Sequence, residues 1–201
     1  MPKRWICETP LVRVMRLVVG SFDNNVYIVA DRSSNAAVIV DAAAEADTIV
    51  DAAAEFEVTA VLTTHGHRDH VGAVAEVCDR LSIPFRLHKA DDALAGMTSP
   101  EPLTDGLIVG PGGLTVRHTP GHTPGSVTFA VPGLLLTGDT LFPGGPGATR
   151  FPYSNFDTIM ASLDERLFVE DDTTIVLPGH GESTTVGTER PFLEEWRARR
   201  W

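Results

Sequence analysis

The string His65-Gly-His67-Arg-Asp69-His70 follows directly on Val58-Thr-Ala-Val-Leu-Thr-Thr64. Three imidazoles and a carboxylate fall within six positions. The run before them is apolar and β-branched, as a buried strand requires. The string therefore stands where a strand gives way to a helix. In extended chain, residues two apart point to the same side, so His65 and His67 face one space. Asp69 and His70 open the helix and turn back toward that space from a slightly different position. One string can thus feed two adjacent metals. Imidazole and carboxylate donors suit zinc, and also iron or manganese. The fold must then bring further ligands to the same place.

Three later segments repeat the pattern of strand end, turn and ligand. In Arg117-His118-Thr119-Pro120-Gly121-His122-Thr123-Pro124-Gly125, Pro and Gly hold a tight turn that projects His122. His118 still belongs to the strand and reads as a packed or hydrogen-bonded residue. In Leu134-Leu-Leu-Thr137-Gly138-Asp139, an apolar strand ends on a carboxylate, whose two oxygens can bridge two cations. In Ile175-Val-Leu177-Pro178-Gly179-His180-Gly181, a histidine again follows a strand, between glycines. His88, the last of the seven histidines, has no such turn and reads as structural.

The rest of the chain alternates strands and helices. Strand-like runs cover Leu11–Val19, Asn25–Ala30, Ala36–Val40, Val58–Thr63, Phe85–His88, Leu114–His118, Ser126–Val131, Leu134–Thr137 and Thr174–Leu177. Helical spacing of apolar residues marks Ala44–Phe56, a helix from Asp69 to Leu81, Ala90–Met97, Asp157–Val169 and a last helix from Pro191 that carries Phe192, Leu193 and Trp196. Leu141–Asn155, rich in Gly and Pro, reads as a long loop. The order predicts a layered α/β sandwich in one domain, residues 1–201, with no Ser/Gly linker or charge run to divide it.

Charge and composition narrow the function. A formal net charge of −11 opposes contact with nucleic-acid phosphates or anionic lipid. No apolar run approaches the length of a membrane span, and the start Met1-Pro-Lys-Arg-Trp has no apolar stretch behind it. A cytoplasmic protein is expected. The two cysteines, Cys7 and Cys78, form no CxxC pair and read as reduced structural thiols. The partner expected is a small-molecule substrate; the sequence sets no oligomeric state.

Taken in order, these segments resemble the metallo-β-lactamase fold superfamily over roughly residues 11–190. Asn24-Asn25-Val-Tyr-Ile-Val and Val38-Ile-Val-Asp41 resemble its second and third strands. Within it the likeness is to glyoxalase II-like hydrolases, through Gly138-Asp-Thr-Leu-Phe142 and Pro178-Gly-His-Gly181. The resemblance implies a four-layer αββα sandwich with its metal site at one edge. It implies His65, His67 and His122 on a first metal, Asp69, His70 and His180 on a second, and Asp139 bridging them. Asp41 would steady the metal loop from behind.

The activity implied is that of a dinuclear metal-dependent hydrolase of thioesters or related small esters. Two divalent ions, zinc foremost, would hold a bridging hydroxide. Asp69 and Asp139 would be its catalytic carboxylates. Phe142, Arg150 and Tyr153, in the long loop, are the candidate substrate contacts. Two departures bear on the substrate. The chain ends 23 residues after Pro178, too soon for the helical extension by which glyoxalase II grips glutathione. Its loop Phe142–Pro152 also differs from the Gly-Arg-Thr-Asp-Phe form of persulfide dioxygenases. The alternatives are a mononuclear iron persulfide dioxygenase using His65, His122 and Asp139, a lactone hydrolase, and a non-catalytic metal binder. Secreted β-lactamases, for want of an export signal, and flavo-di-iron oxidoreductases, which carry a glutamate where this chain has His67, are set aside.

Overall fold

A computed structural model describes residues 5–200. The basic start, Met1–Arg4, and Trp201 lie outside the described residues. Two six-stranded sheets form the centre. The first contains, in spatial order, β1 (Trp5–Glu8), β2 (Val12–Val19), β3 (Asn24–Asp31), β4 (Ala36–Val40), β5 (Glu57–Leu62) and β6 (Phe85–Arg86). The later strands are β7 (Ile108–Val109), β8 (Leu114–His118), β9 (Val127–Val131), β10 (Leu134–Gly138), β11 (Leu141–Phe142), β12 (Gly145–Pro146), β13 (Ile175–Pro178) and β14 (Thr184–Thr185). The second sheet runs β14-β13-β10-β9-β8-β7, and β11 and β12 pair as a separate ribbon. Pairing is antiparallel except at β4–β5, β5–β6 and β10–β13.

Period-two alternation explains the layers. One face of the first sheet, with Val12, Val14, Tyr27, Val29, Val38, Val40 and Leu62, meets Val116, Val127, Phe129, Leu134, Leu136 and Leu177 of the second. The opposite face of the first sheet, with Ile28, Ile39 and Val61, packs against Ile49 of α1 (Ala46–Ala53) and Val74 and Val77 of α3 (Val74–Leu81). The outer face of the second, with Ala130, Leu135 and Val176, packs against α5 (Phe156–Ser162) and α7 (Leu193–Arg199). The two central strands of the second sheet, β9 and β10, are buried at every position. They read as continuous apolar runs for that reason. The result is the four-layer αββα sandwich expected.

Short helices α2 (Arg68–Val71), α4 (Asp92–Ala95) and α6 (Val186–Glu189) complete the set. The helix expected from Asp69 to Leu81 is broken between α2 and α3. At the break Ala73 N donates to Ala42 O at 3.0 Å, and a Cβ on Gly72 would stand 2.6 Å from Ala43 O. Close packing on the loop after β4 thus overrides helical continuity. Asp157–Val169 likewise changes pitch, with α5 passing into a π-helical turn at Leu163–Leu167. The expected loop Leu141–Asn155 contains the β11–β12 ribbon. Trp196 is buried against Phe168 and Phe192, so the last helix docks on the body. Among the described residues, no helix is long and apolar enough to cross a membrane.

Candidate metal centre

The C-terminal ends of β4, β5, β8, β10 and β13 converge on one edge of the sandwich. They carry, in that order, Asp41, the 65–70 string, the His122 turn, Asp139 and His180. The two sheets are stapled there across the core. Asn25 Nδ2 donates to Pro178 O at 2.9 Å and to Gly181 O at 2.9 Å, and Tyr27 Oη donates to Pro178 O at 2.6 Å. These bonds from β3 hold the turn that presents His180.

The ligand atoms fall into overlapping groups within 4.8 Å: His65, His67 and His122; Asp69, His70 and His180; and His65, His70 and Asp139. In the first group, His67 Nδ1 lies 3.1 Å from His65 Nε2 and 2.9 Å from His122 Nε2. In the second, His70 Nε2 lies 3.2 Å from His180 Nε2, and Asp69 Oδ2 lies 3.4 Å from His180 Nε2. Asp139 stands between them. Its Oδ1 is 3.4 Å from His70 Nε2, and its Oδ2 is 3.6 Å from His122 Nε2 and 3.7 Å from His180 Nε2. Asp139 Oδ1 is buried with no hydrogen-bond partner. A buried carboxylate oxygen without a donor is costly unless a cation takes that place. The donor set and this orphaned oxygen together fit divalent metal.

The opposite nitrogen of each ring is occupied by an oxygen. His70 Nδ1 is 2.9 Å from Asp41 Oδ2, His122 Nδ1 is 2.8 Å from Ala148 O, and His180 Nδ1 is 2.9 Å from Phe22 O. His65 Nδ1 is 3.1 Å from Thr64 Oγ1, which itself donates to Asp41 Oδ2 at 2.7 Å. The hydroxyl proton goes to Asp41, so the oxygen accepts from His65. His67 Nε2 is 2.7 Å from Tyr153 Oη. We assign the ring proton of all five to these outer contacts, which leaves the inward nitrogens as lone-pair donors. Asp41 thus fixes His70 directly and His65 through Thr64. Its backbone pays for the position with a φ of 58° in the left-handed region.

Electrostatics follow the same division. Burial, with His70, His122 and His67 nearby, holds His65 well below the usual imidazole range. Burial and His122 press His67 down to about 4. Burial lowers His122 as well, against the pull of Asp139. For His70, burial is outweighed by Asp139, Asp41 and Asp69, which raise it to about 9. His180 is also raised, the Asp69 and Asp139 carboxylates beside it overcoming its burial. The adjacent His180 ring, with His70 and Asn24, holds the Asp69 carboxyl well below the usual range against its burial. The carboxylates that draw a proton onto His70 would equally draw a cation.

A cavity of about 560 Å³ lies over these groups. Phe22, Phe142, Arg150 and Phe151 wall it, and Asp69, Asp139, His67, His122 and His180 floor it. Of the three candidate substrate contacts, Phe142 and Arg150 line the cavity. Tyr153 does not: its hydroxyl is committed to His67, and its ring stacks on Phe151 at 5.5 Å. Phe151 takes the wall position instead.

The sequence model of the Metallo-beta-lactamase superfamily matches residues 19–180, a span that includes all seven ligand candidates. The chain belongs to the metallo-beta-lactamase superfamily. It is 40% identical to the probable metallo-hydrolase YqgX of Bacillus subtilis over 158 residues, covering 67% of this chain and 75% of that protein. It is 32% identical over 158 residues to hydroxyacylglutathione hydrolase GloC of Haemophilus influenzae, covering 66% and 74%. Among solved structures, TTHA1623 in a di-iron-bound form superposes with a TM-score of 0.79 at 33% identity, over 88% of this chain and 97% of that one. The BLEG-1 B3 metallo-beta-lactamase superposes at 0.80 with 31% identity, over 90% and 99%.

Within this metallo-beta-lactamase fold, one organising residue escaped the sequence reading. Asp91 is fully buried. Its Oδ2 accepts from Gly66 N at 2.8 Å and Thr123 Oγ1 at 2.6 Å, and its Oδ1 accepts from Gly125 N at 2.6 Å. It therefore clamps the 65–70 string to the His122 turn. A buried carboxylate in Lys89-Ala-Asp-Asp92 carries no local signal, because its partners lie 25 to 34 residues away. Asn24 is a second such residue, donating to Asp69 Oδ2 at 3.0 Å. His88 and His118 stack on each other at 4.3 Å, outside the ligand groups.

Proposed function

We propose that this metallo-beta-lactamase superfamily member is a dinuclear metal-dependent hydrolase of thioesters or related small esters. The observation that carries the proposal is two complete ligand triads with Asp139 between them, one buried oxygen of which has no hydrogen-bond donor. His65, His67 and His122 would hold one ion, Asp69, His70 and His180 the other, and Asp139 both. Two divalent cations, zinc in this reading, would supply Lewis acidity toward a carbonyl and a water acidified toward neutral pH.

The chain's own groups supply the rest. Asp69, kept ionised by His180 and held by Asn24, accepts a hydrogen bond from the attacking water and orients its lone pair. Phe142, Phe151 and Phe22 exclude bulk water from one side of the reacting carbonyl, which strengthens the electrostatics of the site. The name of GloC, a hydrolase of hydroxyacylglutathione, supports a thioester, and that of YqgX supports hydrolysis. A cavity of about 560 Å³ suits a small molecule. The net charge of −11 argues against a nucleic-acid substrate.

The test is steady-state assay of the metal-loaded protein on thioesters, simple esters, lactones and a β-lactam. Thioester cleavage well above the rest is expected; β-lactam cleavage alone would sink the proposal. One observation favours a second reading in which the metal is iron: the similarity to TTHA1623, whose crystal structure is in a di-iron-bound form. A di-iron centre on the same seven ligands would leave hydrolysis as the activity; one iron per chain with oxygen uptake on a persulfide would instead support the mononuclear dioxygenase alternative on His65, His122 and Asp139.

A further inference from the structure

A second cavity, of about 380 Å³, adjoins the metal cavity and shares Ala148 and Arg150 with it. Its other lining residues are Thr149, Phe156 and Arg200. Two arginines thus line one small space in a protein whose formal charge is −11. Arg150 has no ion pair among the described residues, and its guanidinium lies over the Phe151 ring at 5.4 Å from the centroid. Arg200 lies over Phe156 at 5.3 Å and pairs with Asp157 at 3.2 Å, where both partners are largely exposed. An exposed pair of that kind is weak and readily exchanged for a better anion. A planar guanidinium stacked on a ring keeps its donors free in the ring plane, the geometry that takes carboxylate or phosphate oxygens side by side.

Resting on the hydrolase reading above, we propose that this second cavity binds the anionic end of the substrate's thiol-carrier arm. The scissile carbonyl would lie in the metal cavity. The arm would pass Ala148, and its terminal carboxylate or phosphate would reach Arg150 and Arg200. The substrate class is then a thioester of an anionic carrier rather than of a neutral thiol. Phe156 offers an apolar surface to the adjoining part of the arm.

The experiment uses one acyl group on three carriers: coenzyme A, which brings phosphates, glutathione, which brings carboxylates, and neutral N-acetylcysteamine. An anionic carrier is expected to exceed the neutral one by about tenfold or more in kcat/KM, mainly through KM. In Arg150→Gln that ratio is expected to fall about tenfold, and in Arg200→Gln by a smaller factor. Whichever anionic carrier loses more identifies phosphate or carboxylate as the group bound. A neutral thioester cleaved as well as the anionic ones, or a ratio that neither variant moves, would overturn the subsite. Calorimetric titration with S-methyl-coenzyme A and S-methylglutathione separates the two readings. If no thioester is cleaved but one thioether binds and loses affinity in Arg150→Gln, the subsite stands and the hydrolase reading fails. If neither thioether binds and no anionic preference appears, the subsite fails while hydrolysis of the neutral ester still supports the catalytic reading.

Discussion

The division of labour among single residues is sharpest at Asp41. Its two oxygens take Thr64 N at 2.7 Å, Thr64 Oγ1 at 2.7 Å and His70 Nδ1 at 2.9 Å. One carboxylate thereby sets the ring orientation of a histidine in each triad. Replacing it with alanine is expected to lower metal affinity about 10–100-fold, the range found when outer partners of ligating histidines are removed. A chelator-competition titration measures this, with far-ultraviolet circular dichroism to verify that the variant is folded. Tyr153 acts on His67 alone. Tyr153→Phe should therefore weaken only the His65–His67–His122 site, by about tenfold. Cobalt titration, read band by band, would show a loss confined to one of two binding steps; equal loss in both steps would argue against the assignment. Nothing in the spacing of Phe151-Pro-Tyr153 told its hydroxyl apart from a cavity wall. Its partner His67 lies 86 positions earlier in the chain, so no local pattern links the two.

At the scale of elements, strand ends and the turns after them were legible because each carries its own local chemistry. Apolar runs give way to Gly-Asp139, Pro-Gly-His180 or the Pro-Gly turn around His122, and such punctuation depends on neighbours in sequence. What holds these turns to one another was not legible. Asp91, Asn25 and Tyr27 act across 25 to 156 residues, where only the fold supplies the partner. Short elements were hidden for a related reason: β7, β11, β12 and β14 have two residues each, too few to show a period. Asp91→Ala removes the acceptor of three buried donors, each worth about 1–3 kcal/mol when left unpaired. A loss of about 3 kcal/mol or more in urea unfolding is expected. Gly179 tests the turn at the site itself. A Cβ there would stand 2.3 Å from Asp139 Oδ1 and 2.6 Å from His70 Cε1. Gly179→Ala should fold yet lose most of its metal, which elemental analysis beside a melting curve would reveal.

For the whole molecule, the two sheets serve as a rigid frame whose common edge carries the centre. The inter-sheet core and the two helical layers have separate side chains on alternate strand positions, so the frame follows from ordinary packing. Binding to ions that the unfolded chain does not hold adds stability by mass action, about 2.7 kcal/mol for a site filled at 100 times its dissociation constant. For a domain of this size each kcal/mol moves the melting temperature by about 2–4 °C. Stripping the ions with a chelator should lower it by about 5–10 °C per site, and adding zinc back should restore it. The central claim is that seven side chains from four strand ends make one centre for two ions. Its most direct measurement is metal per chain by elemental analysis, after zinc loading and removal of excess. The account predicts two ions in the natural chain and about one in His180→Ala, which leaves the His65–His67–His122 triad whole. One ion in the natural chain, unchanged in His180→Ala, would contradict it.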